Sequence, residues 1–408
     1  MLSALLSSGP ALFISCSEDG EDPVQITLTP QLPDAKVTKT VRYDEAKMTA
    51  YNFEYPSTDP YGQPVTLSGT ITIGDEVTNN HARGLLLYNH FTVYRADQCP
   101  SCGDLQVQAM VVGSGLITIS PDYYGFGVTE SKPQAYCIPS ANARAGIDAV
   151  LAARKLLPDL GYTWDDFLFN AGYSQGGQTT VAVVKLATEE YPDIRFTRSF
   201  AGGGPYSIAE TYKQFISSGR SAMPSTVVGV LQSYNDVFGL NIARGDIFLE
   251  PLLSNLDEWL LSKRYAQTQL ERYIGSEKLA DFIQPALLDL NSELSRRFMD
   301  AFEKEDLCKG WQPRKDEQLT IVHNLSDDAV PGVNAEKLIE FLRSQGLTIT
   351  QDSSARGVYD RTGTFGYIPG VVDAHQLGSM IFLSTVVGQI SNALGIEYWY
   401  TPDFSLFT

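Results

Sequence analysis

The sequence predicts an α/β fold: a mostly parallel central sheet with helices on both faces and an inserted helical cap. Three observations carry that prediction. Short apolar runs of strand length alternate with helix-length amphipathic segments, the rhythm of parallel strands joined by crossover helices. One serine sits among glycines in Gly172, Tyr173, Ser174, Gln175, Gly176, Gly177, directly after the apolar run Phe167 to Ala171 and directly before a helical segment running to Glu190. The span 205–313 then carries helical periodicities and no inner-strand run, as an insertion above a sheet would.

At the start of the chain, Met1 to Ser15 is apolar and rich in small residues, too short for a membrane span, and ends in Phe13, Ile14, Ser15, Cys16. That ending resembles a bacterial lipobox, in which the signal is cut before a cysteine that becomes lipidated, although the usual Lys or Arg n-region is missing. Ser17 to Asp22 reads as an acidic tether. The resemblance implies an exported lipoprotein on the cell envelope, on the outer membrane or cell surface, touching the membrane only through an anchor at Cys16.

Residues 23–204 and 314–408 read as the core, and 205–313 as the cap. From Gln25 to Ile73 the pattern is strand-like, with Thr49 to Tyr55 and Val65 to Ile73 forming an antiparallel hairpin at a sheet edge around the turn Asp59, Pro60, Tyr61, Gly62. Gly84 to Tyr88 and Leu116 to Ile119 are continuous apolar runs, suited to inner strands covered on both faces. Ser140 to Leu157 is an amphipathic helix, and Phe196 to Phe200 is a strand closing on Gly202, Gly203, Gly204. Within the cap the periodicities span 206–215, 257–273 and 276–302. Core rhythm resumes with a strand at 319–322, a helix at 333–345 and a last helix at 377–394.

With 408 residues, 43% of them hydrophobic, the chain can bury a large core. A formal charge of -18 and a pI near 4.6 exclude a nucleic-acid partner, which would need a basic face. Apart from Cys16 the cysteines are Cys99, Cys102, Cys137 and Cys308, an even number in a chain read as exported. At least one bridge is expected, with the Cys99–Cys102 loop and Cys137 as one pairing. The C-x-x-C spacing lacks the second pair that a zinc site needs.

A strand, a serine flanked by glycines and a helix make a nucleophile elbow, which pushes the hydroxyl out over the sheet edge. The hydroxyl needs a base. His81 reads as a surface residue, His90 as the residue orienting the loop after the 84–88 strand, and His323 as the shaper of a later turn; His375, on a loop before the last helix, is left as the base. The orienting acid is expected after the strand beyond the cap. There Asp327, in a D-x-x-V-P spacing, ranks above Asp328, with Asp373 third. An oxyanion needs two donors; the backbone N–H of Gln175, at a helix start, and that of Thr92, with Phe91 second, are the candidates. Phe91, Tyr124 and Tyr173 are the aromatic candidates for substrate binding at the mouth.

Together these pieces resemble the α/β-hydrolase superfamily over most of residues 45–400. Within it, His90, Phe91, Thr92 leading to Cys99, Pro100, Ser101, and Pro121, Asp122, Tyr123, Tyr124, Gly125, are similar to the secretory lipase family, with its H-x-T loop, C-x-P-S and P-D-Y-x-G. This chain departs at Phe91, where the family often has Gly or Pro, and in lacking a residue between Cys99 and Pro100. The resemblance implies a serine carboxylic ester hydrolase acting on a small-molecule or lipid ester, with an acyl pocket under a helical lid and with no cofactor or metal. A serine peptidase of aminopeptidase or prolyl type, anchoring its substrate amine on an acid such as Glu190 or Glu250, is the nearest alternative. A non-catalytic surface lipoprotein that binds glycans or lipids is a second.

Overall fold

The computed structural model describes residues 33–347 apart from 104, 106, 107, 109 and 110, together with 349–351, 358–360 and 374–396. The leader and tether read from the sequence lie outside these residues, as does Asp373. The described residues build a sheet in the order β1-β2-β3-β6-β5-β8-β9-β10-β12-β11. At its centre β6 (Ile117–Pro121), β5 (Leu85–Asn89), β8 (Leu168–Tyr173), β9 (Arg198–Gly202) and β10 (Leu319–Val322) run parallel. β1 (Lys36–Tyr43), β2 (Met48–Thr58) and β3 (Pro64–Gly74) extend it antiparallel at one end. The short β11 (Thr350–Gln351) and β12 (Val358–Asp360) do so at the other. A side pair, β4 (His81–Ala82) and β7 (Thr163–Trp164), stands apart. The Asp59 turn forms as its residues dictate, with the Asp59 carboxylate accepting from the amides of Tyr61 and Gln63.

Alternation along the inner strands sorts side chains to the two faces. Leu85, Leu87 and Leu168 join the large core with α1 (Pro139–Asp159), α2 (Gln175–Glu190) and α9 (Val333–Ser344). Leu86, Phe169, Ala171, Tyr173 and Phe200 face the other way, onto Phe382, Val386 and Ile390 of the last helix, α10 (Ala374–Leu394). Continuous apolar runs were the right signature, because both faces of these strands are covered.

Backbone crosses backbone at close range where β8 turns into α2. A Cβ on Gly172 would stand 2.3 Å from the Gly176 carbonyl oxygen, and one on Gly176 would stand 2.1 Å from the carbonyl oxygen of Asn89 at the end of β5. Strand, turn and helix therefore cross at backbone-to-backbone distance, which only glycine permits.

Between β9 and β10 the described chain is helical: α3 (Ile208–Ser218), α4 (Pro224–Val237), the short α5 (Arg244–Ile247) and α6 (Leu252–Leu256), α7 (Gln267–Ile274) and α8 (Glu293–Lys304). Its centre is aromatic, with Phe302 packed edge-on to Tyr212 and Tyr234. Several bonds tie it to the core. Tyr94 donates to the Ser225 carbonyl and Tyr234 to that of Cys137, both at 3.0 Å. The Glu305 carboxylate accepts from the amide and hydroxyl of Ser140. The Lys263 ammonium donates to three carbonyls on the core loop, those of Gly125, Glu130 and Lys132.

Some expectations are corrected. The hairpin is not the sheet edge, because β1 lies outside it. The helix expected at 257–273 breaks where Lys263 takes a left-handed backbone, φ 55°, to aim its ammonium at those carbonyls. The helix expected at 276–302 starts only at Glu293, where the Ser292 hydroxyl caps the Ser295 amide. α4 was not anticipated at all. His375 lies in the first turn of α10 rather than on a loop.

The glycine crossing yields a direct prediction. Gly176→Ala drives a Cβ into the Asn89 carbonyl and should cost about 3 kcal/mol or more of stability. Urea unfolding read by circular dichroism checks this; a variant as stable as wild type would contradict the crossing geometry.

Candidate active site

Ser174 stands at the turn with φ 59° and ψ -123°, outside the ordinary range for a residue with a side chain. The conformation is held by the Ser174 amide, which donates to the Gly202 carbonyl at 2.8 Å, and by the Ser174 carbonyl, which accepts from the Gln178 amide at 3.1 Å. Beneath it a buried polar cluster fixes the strands. The Asn89 side-chain amide donates to Asn170 Oδ1 and the Thr180 hydroxyl, and Asn170 Nδ2 donates to the Thr180 backbone carbonyl.

The structure brings three of the sequence-selected residues into one line. The Ser174 hydroxyl lies 3.0 Å from His375 Nε2, and His375 Nδ1 lies 2.6 Å from Asp327 Oδ2. An ionised carboxylate only accepts, so Nδ1 carries the proton and Nε2 is left to accept from the hydroxyl. His375 and Asp327 are both buried. The other oxygen of Asp327 accepts from the amides of Ala329 and Val330, at 3.0 and 2.8 Å, which leaves Oδ2 aimed at the imidazole. Asp328 is exposed on the same turn. Such an arrangement can draw the proton from the serine and stabilise the imidazolium that results.

The remaining histidines fall into other roles. His323, buried at the end of β10, donates through Nε2 to the Val330 carbonyl at 2.9 Å and so braces the turn carrying Asp327. Its Nδ1 is buried with no partner, and burial holds its pKa below the ordinary histidine value. His90 faces the carbonyls of Phe91 and Asp122 and stacks on Tyr123 at 4.1 Å, ordering the loop that follows β5. His81 lies at the surface beside Thr163 and Asp165.

Ser174 and His375 line a largely apolar cavity of about 50 Å³. Ile208, Tyr212, Phe215, Val227 and Leu231 come to it from α3 and α4, and Tyr136 from the core. Cys137 also lines it, its thiol pushed up to about 12 by burial and therefore neutral. None of the lining residues is Asp, Glu, Lys or Arg.

Of the other sequence-selected residues, Gln175 lines this cavity at the start of α2, where the helix dipole adds positive potential. Thr92 does not line it; the Thr92 hydroxyl is bonded at 2.9 Å to that of Tyr136, which does. The three aromatic candidates for substrate contact lie elsewhere. Phe91 is 41% exposed and Tyr124 is buried in the core. Tyr173 alternates to the α10 face of the sheet, where it packs between His375 and Phe382 and donates to the His375 carbonyl at 2.7 Å. It supports the histidine from behind. The cavity walls on α3 and α4 were missed by sequence reasoning, since their apolar stripes look the same whether they pack or line a void.

The four cysteines Cys99, Cys102, Cys137 and Cys308 are free thiols. The expected bridge to Cys137 is absent: Cys99 packs with Val93 and Phe126, while Cys137 belongs to the main core.

Comparison with known proteins adds the following. A family model described as secretory lipase matches residues 103–361. No curated protein matches the sequence. Among solved structures, the rice cell wall degrading esterase LipA from Xanthomonas oryzae superposes with a TM-score of 0.72 at 18% identity, covering 89% of this chain and 98% of that one. Lipase A from Candida antarctica in its closed state superposes with a TM-score of 0.65 at 16% identity, covering 90% and 82%. At these identities the likeness is one of fold, and the fold is that of the α/β-hydrolases.

The buried His323 gives a pH prediction. Its folded pKa is depressed, so below about 6.5 the unfolded chain takes up a proton that the folded chain refuses. Stability present above that pH is lost as pH falls, by at most about 1.4 kcal/mol per pH unit for this one group. Urea unfolding at pH 7.5 and 5.5 should show a larger loss for wild type than for His323→Gln; equal losses would remove His323 as the titrating group.

Proposed function

The chain belongs to the secretory lipase family and is a carboxylic ester hydrolase, and we propose that it works through an acyl-enzyme intermediate formed on Ser174. The observation that carries this reading is the line of hydrogen bonds from Ser174 through His375 to Asp327. In the proposed sequence the Ser174 hydroxyl attacks the ester carbonyl as its proton passes to His375 Nε2, and Asp327 stabilises the imidazolium. The Gln175 amide, with the Thr92 amide from the loop after β5, holds the oxyanion. His375 returns the proton to the departing alcohol, and a water activated by the same imidazole then releases the acid.

The cavity supports an apolar acyl group, in a small-molecule or lipid ester, as the part of the substrate that is enclosed. Its walls come largely from residues 205–313, which we take as a cap over the core formed by 23–204 and 314–408. A peptidase reading is less favoured. A free substrate amine would need a carboxylate, and the cavity lining has none. Glu190 is paired with Arg144 at the surface, and Glu250 accepts from Ser254. A purely binding role leaves the polarised serine unexplained.

The family also points to export. The finer placement, a lipid anchor at Cys16 on the cell envelope, is proposed from the leader sequence. Palmitate label should enter the wild-type protein and be lost in Cys16→Ala; label retained in the variant would rule out the anchor.

Hydrolysis of p-nitrophenyl esters of graded length, set against aminoacyl and prolyl anilides, tests the chemistry. Esters should turn over and anilides should not. Ser174→Ala should abolish hydrolysis, and Asp327→Asn should lower kcat by roughly 10⁴ with the fold intact. Full esterase activity in Ser174→Ala would overturn the mechanism. Val227→Phe, which fills the cavity from α4, should cut hydrolysis of an octanoyl ester about tenfold while sparing the acetyl ester; equal effects on both would place the acyl chain elsewhere.

A further inference from the structure

The C-x-x-C of the sequence is not absorbed by the ester chemistry, and its surroundings are unusual for two free thiols. Cys99 opens a tight turn over Pro100–Cys102, in which the Cys102 amide donates to the Cys99 carbonyl at 3.0 Å. A turn closed by such a bond keeps the two Cα atoms within about 7 Å, the range in which a disulfide closes without moving the backbone. Within the turn the Cys99 thiol lies 3.8 Å from the Ser101 hydroxyl. The exposures of the two cysteines differ sharply. Cys99 is fully buried against Val93 and Phe126, whereas Cys102 is exposed to solvent. Among the described residues no third Cys, His, Asp or Glu joins them in a group able to hold a metal.

The turn is built into the loop system of the site. The Ser101 amide donates to Asp122 Oδ1 at 2.8 Å, and the Ser101 carbonyl accepts from the Asn52 side chain. The carbonyl of Asp122 faces His90 at 3.2 Å, and Val93, which covers the Cys99 sulfur, follows Thr92 directly. The neighbouring Cys99 thiol brings the Cys102 thiol down to about 7, and the Cys102 thiol together with burial pushes Cys99 up. The lowered pKa of the exposed Cys102 favours its thiolate, the form that attacks disulfides.

We propose that Cys99 and Cys102 are a redox pair that closes to an internal disulfide by exchange with a disulfide oxidant of the glutathione class, Cys102 attacking and Cys99 resolving. The Cys102 thiolate attacks one sulfur of oxidised glutathione; a mixed disulfide forms and one glutathione thiolate leaves. Cys99 then gives its proton to solvent or to that leaving thiolate and attacks the Cys102 sulfur, releasing the second glutathione. The protein loses two electrons and two protons, and the oxidant gains them as two thiols. Closure fixes covalently the turn that holds Asp122, next to the loop carrying Thr92. An exported chain meets oxidants that permit it.

The test equilibrates the full-length protein with oxidised and reduced glutathione at graded ratios, blocks free thiols by alkylation and cleaves at glutamate. The fragment from Val77 to Glu130 then holds Cys99 and Cys102 and neither Cys137 nor Cys308. With oxidant in excess, this fragment should be unalkylated and about 2 Da lighter than its reduced form. Cys99→Ser should instead trap a glutathione adduct on Cys102, and Cys102→Ser should take up none. The proposal fails if the wild-type fragment stays doubly alkylated at the highest ratio, if it is found linked to the fragment carrying Cys137, or if Cys102→Ser is modified at Cys99. The wild-type measurement stands alone should the substitution at buried Cys99 prevent folding.

Discussion

The close backbone crossing of β8, its turn and α2 over the end of β5 sets the geometry of the serine and its partners above the sheet. No side chain fits there, and the serine between the glycines is held in a backbone conformation that side-chain-bearing residues avoid. Strain of this kind persists only where the surroundings over-determine it. Here they do so twice, through the bond of the Ser174 amide to β9 and through the Asn89, Asn170 and Thr180 cluster below. The same crossing aims the hydroxyl at a histidine 201 residues later in the chain, in the first turn of α10.

Each partner of that hydroxyl is itself held from behind. His375 is fixed by Asp327 on one side and by the Tyr173 ring and hydroxyl on another. Asp327 is fixed by two amides of its own turn, and that turn by His323. These supports come from β8, β10 and α10, so the arrangement depends on the parallel register at the centre of the sheet. The apolar cavity, by contrast, takes most of its walls from residues 205–313, so the chemistry and much of the enclosing surface come from different parts of the chain.

That division also decides how much could be read beforehand. The glycine-flanked serine, the strand and helix rhythm, and the order serine, acid, histidine are local or ordinal features, and local rules governed them. Asp327 could be preferred to Asp328 from its spacing to Val330 and Pro331, the segment whose backbone now holds it. The side chains that line the cavity could not be read, since an apolar stripe on α3 or α4 carries no mark of whether it faces protein or void. Tyr173 was misplaced for a related reason: a residue beside the serine in sequence points, by strand alternation, to the opposite face of the sheet. The break at Lys263 was hidden because its cause is a set of carbonyls more than 130 residues away.

The Lys263 ammonium, seated among those carbonyls, acts mechanically as a pin. With the tyrosines of the Tyr94–Ser225 and Tyr234–Cys137 bonds and the carboxylate of Glu305, it fastens the insertion to the core at well-separated points along its length. Lifting the insertion as one body would break these together, and each hydrogen bond to the ammonium alone is worth about 1.5–3 kcal/mol. Moving residues 205–313 away from the core as one body would therefore cost the sum of these bonds.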